Sequence, residues 1–399
     1  MKLADRMERI GTETAFEAAA RARALEATGR DVIHLEIGEP DFDTPRHVSE
    51  AASRALLDEK MTHYPPSSGI GPLRAAIAAD VKRWKGIEAT ADQVVVTPGA
   101  KPIMFYAMLA LINEGDEVIY PNPGFPIYES MARYVGGVAV PAPLREADDF
   151  RMDVGEVATL VTDKTRLIVI NSPHNPTGSV LTPDDVREIA RIAVEHDLVV
   201  LADEIYGRLQ YEGEPLSIAT LPGMAERTIT LDGFSKTFAM TGWRLGYGIV
   251  PTWLMPAFSA LVINSVSGTN AFAQAGAVAA LTGPQDAADA MRAEFMARRA
   301  LIVEGFNAIP GVSCVMPHGA FYAFPNMSSF GRSSNDIADH LLYDAGVCGL
   351  SGTAFGSHGE GYLRFSYANS REKISTALER VGESLAKLER TGELVGASA

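Results

Sequence analysis

Cysteine is scarce in this sequence, with only Cys314 and Cys348 among 399 residues. Two cysteines allow at most one disulfide, which excludes a disulfide-stapled secreted scaffold and fits a reducing compartment, so both are read as free thiols. Positive charge is also in short supply: 35 Lys and Arg stand against 50 Asp and Glu, a formal net charge of −15. Acidic residues spread along the whole chain argue against nucleic acid or an anionic membrane as a partner, so any anionic ligand must be gripped by a few local groups. No uncharged apolar run is long enough to cross a bilayer, and the opening MKLADRMERIG lacks the apolar core of a signal peptide. The expected location is the cytoplasm. Neither an internal repeat nor a low-complexity tract interrupts the chain, and no metal site is expected.

What is present is the composition of an ordinary enzyme, 47% apolar and 21% charged, in a chain too long for one small core. Two lobes are expected. Between residues 45 and 285, helical patterns alternate with short β-rich runs at 94–97, 117–120, 138–141, 167–171, 198–202, 228–231 and 245–250. Such alternation implies an α/β lobe with a largely parallel sheet covered by helices on both faces. Residues 1–44 and 286–399 form the second, smaller α+β lobe. It holds strands at 32–37, 320–325 and 362–367 and helices at 286–308, 335–345 and 370–390, with a frayed tail over 391–399. Helix starts are marked at Thr14, with Glu17 completing a capping box, and at Thr44 with Pro45 behind it. The start at Thr182-Pro183-Asp184-Asp185 combines a cap, a first-turn proline and two acids near the positive end of the dipole. Gly29 is placed to end the first helix.

Four segments carry chemistry. DGFSKTFAMTGWR, residues 232–244, follows an apolar strand and puts Lys236 beside Ser235, with Arg244 further on. A neutral lysine amine forms Schiff bases, a neighbouring cation such as Arg244 favours that neutral form, and Ser235 and Arg244 suit a phosphate. Taken alone, the segment fits an exposed loop lysine equally well. LVVLADEIY, residues 198–206, runs an apolar strand straight into Asp203, where open α/β sheets bind ligands. An ionised Asp203 would hold a pyridine nitrogen protonated, and Tyr206 could reach the phenolic oxygen of the same ring. Glu204 reads better as a cap of the next helix. NSPHNPTG, residues 171–178, follows another strand, and its prolines and glycine make a rigid turn that aims the Asn175 amide, while His174 reads as a loop residue. Residues 94–101, VVVTPGAK, go from strand through a small-residue turn into a helix, so the backbone of Gly99, Ala100 and Lys101 is a candidate anion site, although a plain strand-to-helix connection explains it as well.

Together these segments resemble the class I and II aminotransferases, in order and spacing, from Gly38-Glu-Pro-Asp-Phe to the Arg364 region. The resemblance implies the fold type I architecture of pyridoxal phosphate enzymes, with a mostly parallel, mixed, seven-stranded sheet. Lys236 would form the internal Schiff base, Asp203 face the pyridine nitrogen, and Asn175 and Tyr206 face the ring oxygen. The phosphate cup would be the Gly99, Ala100 and Lys101 backbone with Ser235 and Arg244. From the resemblance alone come Phe125 as the residue stacked on the cofactor ring, Arg364 as the grip on the substrate α-carboxylate, and Gly38 and Asn175 as further substrate contacts. Tyr64 would reach the phosphate of a partner subunit, which implies a homodimer with composite sites.

The implied activity is a ping-pong transfer of an amino group between an L-amino acid and a 2-oxo acid, with Lys236 moving the proton. A carbon–sulfur β-lyase or a cyclopropane-forming synthase on the same cofactor site is the alternative. A regulatory domain without turnover is a third reading, opposed by the intact chemical residues. Lys101 replaces the small hydroxyl residue of many relatives, so its side chain is expected to face substrate. The stretch 264–270 contains no arginine, which argues against strict aspartate specificity. The substrate pocket is expected to include residues near 14–16, Lys101 and 264–270. Residues 1–44 are expected to shift with the C-terminal lobe when ligand binds.

Overall fold

Short β-rich runs, most of them buried on both faces and the edge strand β3 only partly so, make the strands of one sheet: β1 (Val94–Thr97), β2 (Glu117–Asn122), β3 (Val138–Pro143), β4 (Thr165–Asn171), β5 (Val199–Asp203), β6 (Thr228–Gly233) and β7 (Gly246–Ile249). The computed structural model describes residues 2–11 and 13–396, with side chains described as far as residue 388. The strand order is β1-β7-β6-β5-β4-β2-β3. All neighbours are parallel except those of β7, which runs antiparallel to both β1 and β6. This is the mostly parallel, mixed, seven-stranded sheet of the fold type I expectation.

Alternate residues of each strand feed two cores. Val118, Leu167, Val169, Leu201 and Ile229 pack on one side with Met104, Tyr128 and Phe258. Ile119, Ile168, Ile170 and Val200 pack on the other with Val186, Ile189 and Ala193 of the helix Pro183–Glu195. Covering both faces explains why these strands read as unbroken apolar runs instead of alternating ones. That helix starts as expected: the Thr182 hydroxyl accepts from the Asp185 N–H at 3.1 Å, while the Asp185 carboxylate accepts from the Thr182 N–H at 2.8 Å.

A further core joins Ile33 and Leu35 to Phe295, Phe306, Phe365 and Ile374 of the C-terminal part. Its strands are shorter than expected. Ile33–His34 pairs in parallel with Val347–Cys348, and Leu363–Ser366 lies between Leu350–Ser351 and Tyr322–Ala323. The helix Asp286–Asn307 lies where its pattern put it. The helix Ser334–His340 widens into a π-type turn, Leu341–Ala345. The last helix, Arg371–Gly396, takes in residues 391–396 that were expected to fray, and 397–399 lie outside the described residues.

Two caps differ from expectation. Thr14 precedes the helix Ala15–Glu26 but makes no side-chain cap, and that helix stops before Gly29. The helix expected from Pro45 starts at Arg46 with Pro45 as its cap. The Thr44 hydroxyl is taken by tertiary bonds instead, donating to the Ala239 carbonyl at 2.7 Å and accepting from the Trp243 indole at 2.9 Å. Cys314 and Cys348 are buried free thiols. Among the described residues no helix is long and apolar enough to cross a membrane, and no cluster of His, Cys, Asp and Glu is arranged to hold a metal.

Candidate active site

The carboxyl ends of β4, β5 and β6 open onto a cavity of about 470 Å³ whose wall includes Asn175, Asp203, Tyr206, Ser235, Lys236 and Arg364. Parallel strands that stop side by side leave a crevice beyond their ends, and residues just after each strand point into it.

Lys236 lines this cavity, partly buried, and its Nζ donates to the Gly38 carbonyl at 2.5 Å. A side chain at position 38 would collide with the Tyr322 hydroxyl, so glycine is needed for the 38–44 crossing to come this close. Burial lowers the Lys236 amine to about 8; Arg364 and Arg244 add to the drop, and Glu39 and Glu13 oppose it. The sequence reading credited Arg244 with favouring the neutral amine, whereas desolvation contributes most.

Asp203 is 3% exposed and accepts from the Tyr128 hydroxyl at 2.6 Å and from the Ile205 N–H at 3.2 Å. Burial raises it to about 6, against the pull of those two donors. Glu204 does not cap a helix. It pairs with Lys85 at 2.7 Å and accepts from the Ser217 hydroxyl at 2.6 Å. The Tyr206 hydroxyl shares a hydrogen bond of 2.7 Å with Tyr322, both rings being buried.

Arg364 points away from Leu363 and Phe365, which join the apolar core. Its guanidinium donates to the Asn175 side-chain oxygen at 3.1 Å and to the Glu36 carbonyl, and lies 4.6 Å from the Tyr322 ring centre. The buried Nε has no partner among the described residues. His174 is buried beside Thr177, 2.8 Å away, and burial pushes its ring down to about 3, so it stays neutral and does not line the cavity.

Gly99 does not itself line the cavity, but Ala100, Lys101 and Arg244 do; Gly99 has φ +83°, and a methyl built on it would overlap the Arg244 guanidinium. The Thr97 hydroxyl holds the turn by donating to the Gly99 carbonyl at 2.7 Å. Ala100 then caps the helix Lys101–Leu111. Arg244 has a left-handed backbone, φ +53°, and donates to the Thr241 carbonyl at 2.8 Å. A helix start and an arginine fork therefore face the same space, the arrangement that holds a phosphate. Lys101 points into the cavity, pairs with Glu13 and lies 5.4 Å from the centre of the Phe125 ring.

Two expectations are not met within one chain. Tyr64 is 92% exposed and lies away from its own cavity. None of residues 264–270 lines the cavity, although Glu13, Ala15 and Phe16 do. Tyr128 and Tyr322 also line the cavity, and neither was expected there. Tyr128 lies one helical turn beyond Phe125 and could have been found by that spacing, but Tyr322, inside an apolar strand, offers no local signal.

The family model for aminotransferase class I and II matches residues 30–381. The aspartate aminotransferase of Pyrococcus abyssi is 43% identical over 356 residues, 88% of this chain and 91% of that protein. Aromatic-amino-acid aminotransferase 2 of Thermococcus litoralis is 41% identical over 385 residues, covering 96% and 97% of the two chains. The solved aromatic aminotransferase from Pyrococcus horikoshii superposes with a TM-score of 0.88 at 42% identity, covering 92% of this chain and 99% of that one.

Proposed function

The chain belongs to the class I and II aminotransferase family and is a transaminase, moving an amino group between an amino acid and a 2-oxo acid, and we propose that it does so in the cavity beyond β4–β6. Relatives named for amino transfer match nearly the full chain, which favours transfer over lyase chemistry. The family works with pyridoxal 5'-phosphate, and the residues present fit it. The cavity has the volume of a small-ligand site, the cradle beside Arg244 exists only because residue 99 lacks a side chain, and the Lys236 amine has a depressed pKa. That depressed amine, placed among Asp203, Asn175 and Tyr206, is the observation that carries the assignment.

When bound, the cofactor supplies an electrophilic aldehyde carbon and a ring that accepts the electron pair released at the substrate Cα. Lys236 would hold the group through its neutral amine, with loss of water, and, when free, its amine would be the base that holds and moves the substrate Cα proton. Asp203, with Tyr128 fixing its orientation, stabilises a protonated ring nitrogen. Asn175 and Tyr206 would serve the ring oxygen, and Phe125, on the same cavity wall, would pack against the ring. The Gly99–Lys101 backbone, Ser235 and Arg244 hold the phosphate. Arg364 grips the substrate α-carboxylate, with Asn175 and the Gly38 backbone as neighbours. The experiment follows from the lysine. Cofactor uptake by the cofactor-free protein, timed by stopped flow, should accelerate about tenfold per pH unit and level off above about 8, because attachment needs the unprotonated amine. A rate flat between pH 6 and 9 would remove Lys236 from the role.

Arg364→Lys keeps the charge but loses the planar fork, and one charged hydrogen bond is worth roughly 1.5–3 kcal/mol. We expect KM for amino donors to rise about 10–100-fold with a smaller change in kcat, measured by steady-state kinetics. We assign residues 45–285 to the cofactor lobe and 1–44 with 286–399 to a smaller lobe, supported by the core that Ile33 and Leu35 share with the C-terminal helices. Tyr64 is assigned to the phosphate of a partner subunit in a homodimer, in keeping with a ring that is exposed and lies away from its own cavity. Mixed dimers then provide the check. Inactive Lys236→Ala chains co-refolded with Tyr64→Ala chains should gain activity over either parent, because one of the two sites in a hybrid becomes wild type. No gain would place Tyr64 outside the site.

A further inference from the structure

The underside of the cavity holds a buried ionic cluster that the mechanism above does not use. Lys85, the last residue of the helix Gly71–Lys85, places its Nζ 2.7 Å from the Glu204 carboxylate and 2.7 Å from that of Asp232. Glu204 directly follows Asp203, and its N–H donates to the Leu231 carbonyl at 2.9 Å. Since Asp203 pairs with Leu231 across the ladder, Glu204 and Asp232 stand side by side one step further on. The clamp therefore ties together the ends of β5 and β6, the two strands that deliver Asp203 and Lys236. A second cavity, of about 310 Å³, lies against Lys85, Asp203 and Glu204 on this side.

One ammonium against two carboxylates leaves the cluster one negative charge. On the proposed reading of Asp203 as the partner of the cofactor nitrogen, we infer that Lys85 is a positioning residue that keeps Asp203 anionic by neutralising half of the carboxylate charge beneath it. Other charged or titratable groups here include Tyr128, Tyr206 and Tyr322 around Asp203, Tyr247 beside Asp232, Asp289 and Arg292 along the lower cavity, and Arg208, which is paired with Asp80 and also lines it. The field acts with the expected sign: Asp232 raises the Asp203 carboxyl and Lys85 lowers it, both behind the larger effect of burial. Lys85 is itself held charged, because the two carboxylates outweigh its own desolvation.

Removing a positive charge makes every nearby site hold its proton more tightly, and removing a negative one does the reverse. The readout is the pH midpoint of the absorption change in the cofactor-loaded enzyme. In Lys85→Met this midpoint should move up by about one unit, with kcat reduced about tenfold and KM for the amino donor little changed. Glu204→Gln should move the midpoint down, and Lys85→Arg should lie near wild type. Opposite shifts cannot come from structural damage alone, and Glu204→Gln supplies the test if Lys85→Met, which strands two buried carboxylates, fails to fold. Midpoints that stay at the wild-type value in the folded variants, or move the same way in Lys85→Met and Glu204→Gln, overturn the inference. A wild-type enzyme whose cofactor is not attached at Lys236 overturns the site reading beneath it instead.

Discussion

Lys236→Ala is expected to lower the rate of amino transfer by about 10⁴-fold or more, and to leave a cofactor that borohydride no longer fixes to the chain. The magnitude combines two losses. A positioned general base contributes about 10²–10⁴-fold, and the covalent attachment that splits one hard step into two easier ones adds to it. Both reside in one amine, so the losses fall together. The surroundings argue that no other group substitutes. The Tyr206 hydroxyl is pushed well above its ordinary range by burial, and His174 is enclosed outside the cavity. Lys101 is the other lysine on the cavity wall, but it is engaged with Glu13 and lies at the Phe125 wall. Single-turnover kinetics with an amino donor, together with mass analysis of the borohydride-treated protein, check both halves. A covalent adduct retained in Lys236→Ala would sink the assignment.

The expectation reached that residue because strand ends are legible and what lies between them is not. Runs such as 198–203 are apolar without alternation because both faces of β5 are covered, so the first acid after the run, Asp203, marks where the strand reaches the cavity. Lys236, Asn175 and the Gly99 turn follow β6, β4 and β1 in the same way. The smaller lobe was harder to read. Its strands pair over only two to four residues, since the chain leaves the ladder to spend backbone groups on the site: the Glu36 carbonyl accepts from Arg364 and the Gly38 carbonyl from Lys236. The cap at Thr44 failed for a related reason, tertiary partners having claimed its hydroxyl. Tyr322 shows the limit most clearly. Nothing in the FYAF stretch tells which ring will lie against Arg364 and bond to Tyr206, because that depends on how the C-terminal part docks onto the ends of the sheet.

Asp203→Asn is expected to cost about 10²–10³-fold in kcat with KM for the amino donor nearly unchanged. A carboxylate within about 4–6 Å of a cationic nitrogen raises its pKa by about 1–3 units, and each unit is tenfold in the fraction of protonated ring. Asparagine fills the same volume and can still bond to Tyr128, so the change removes charge and little else. With Asp203 assigned to the cofactor ring and not to the substrate, the loss should fall on the step that moves the proton at Cα. A primary isotope effect on transfer of an α-deuterated donor should therefore grow in Asp203→Asn as that step becomes limiting. The pH dependence has a definite sign. Asp203 stands raised to about 6 in the cofactor-free protein, so its anion is lost as pH falls through that value, and cofactor affinity of the wild type should weaken below about pH 6. Asp203→Asn, having no such group, should bind more weakly and lose this acid limb. An Asp203→Asn enzyme with wild-type kcat, or with the acid limb intact, would show that the ring nitrogen is not held by this carboxylate.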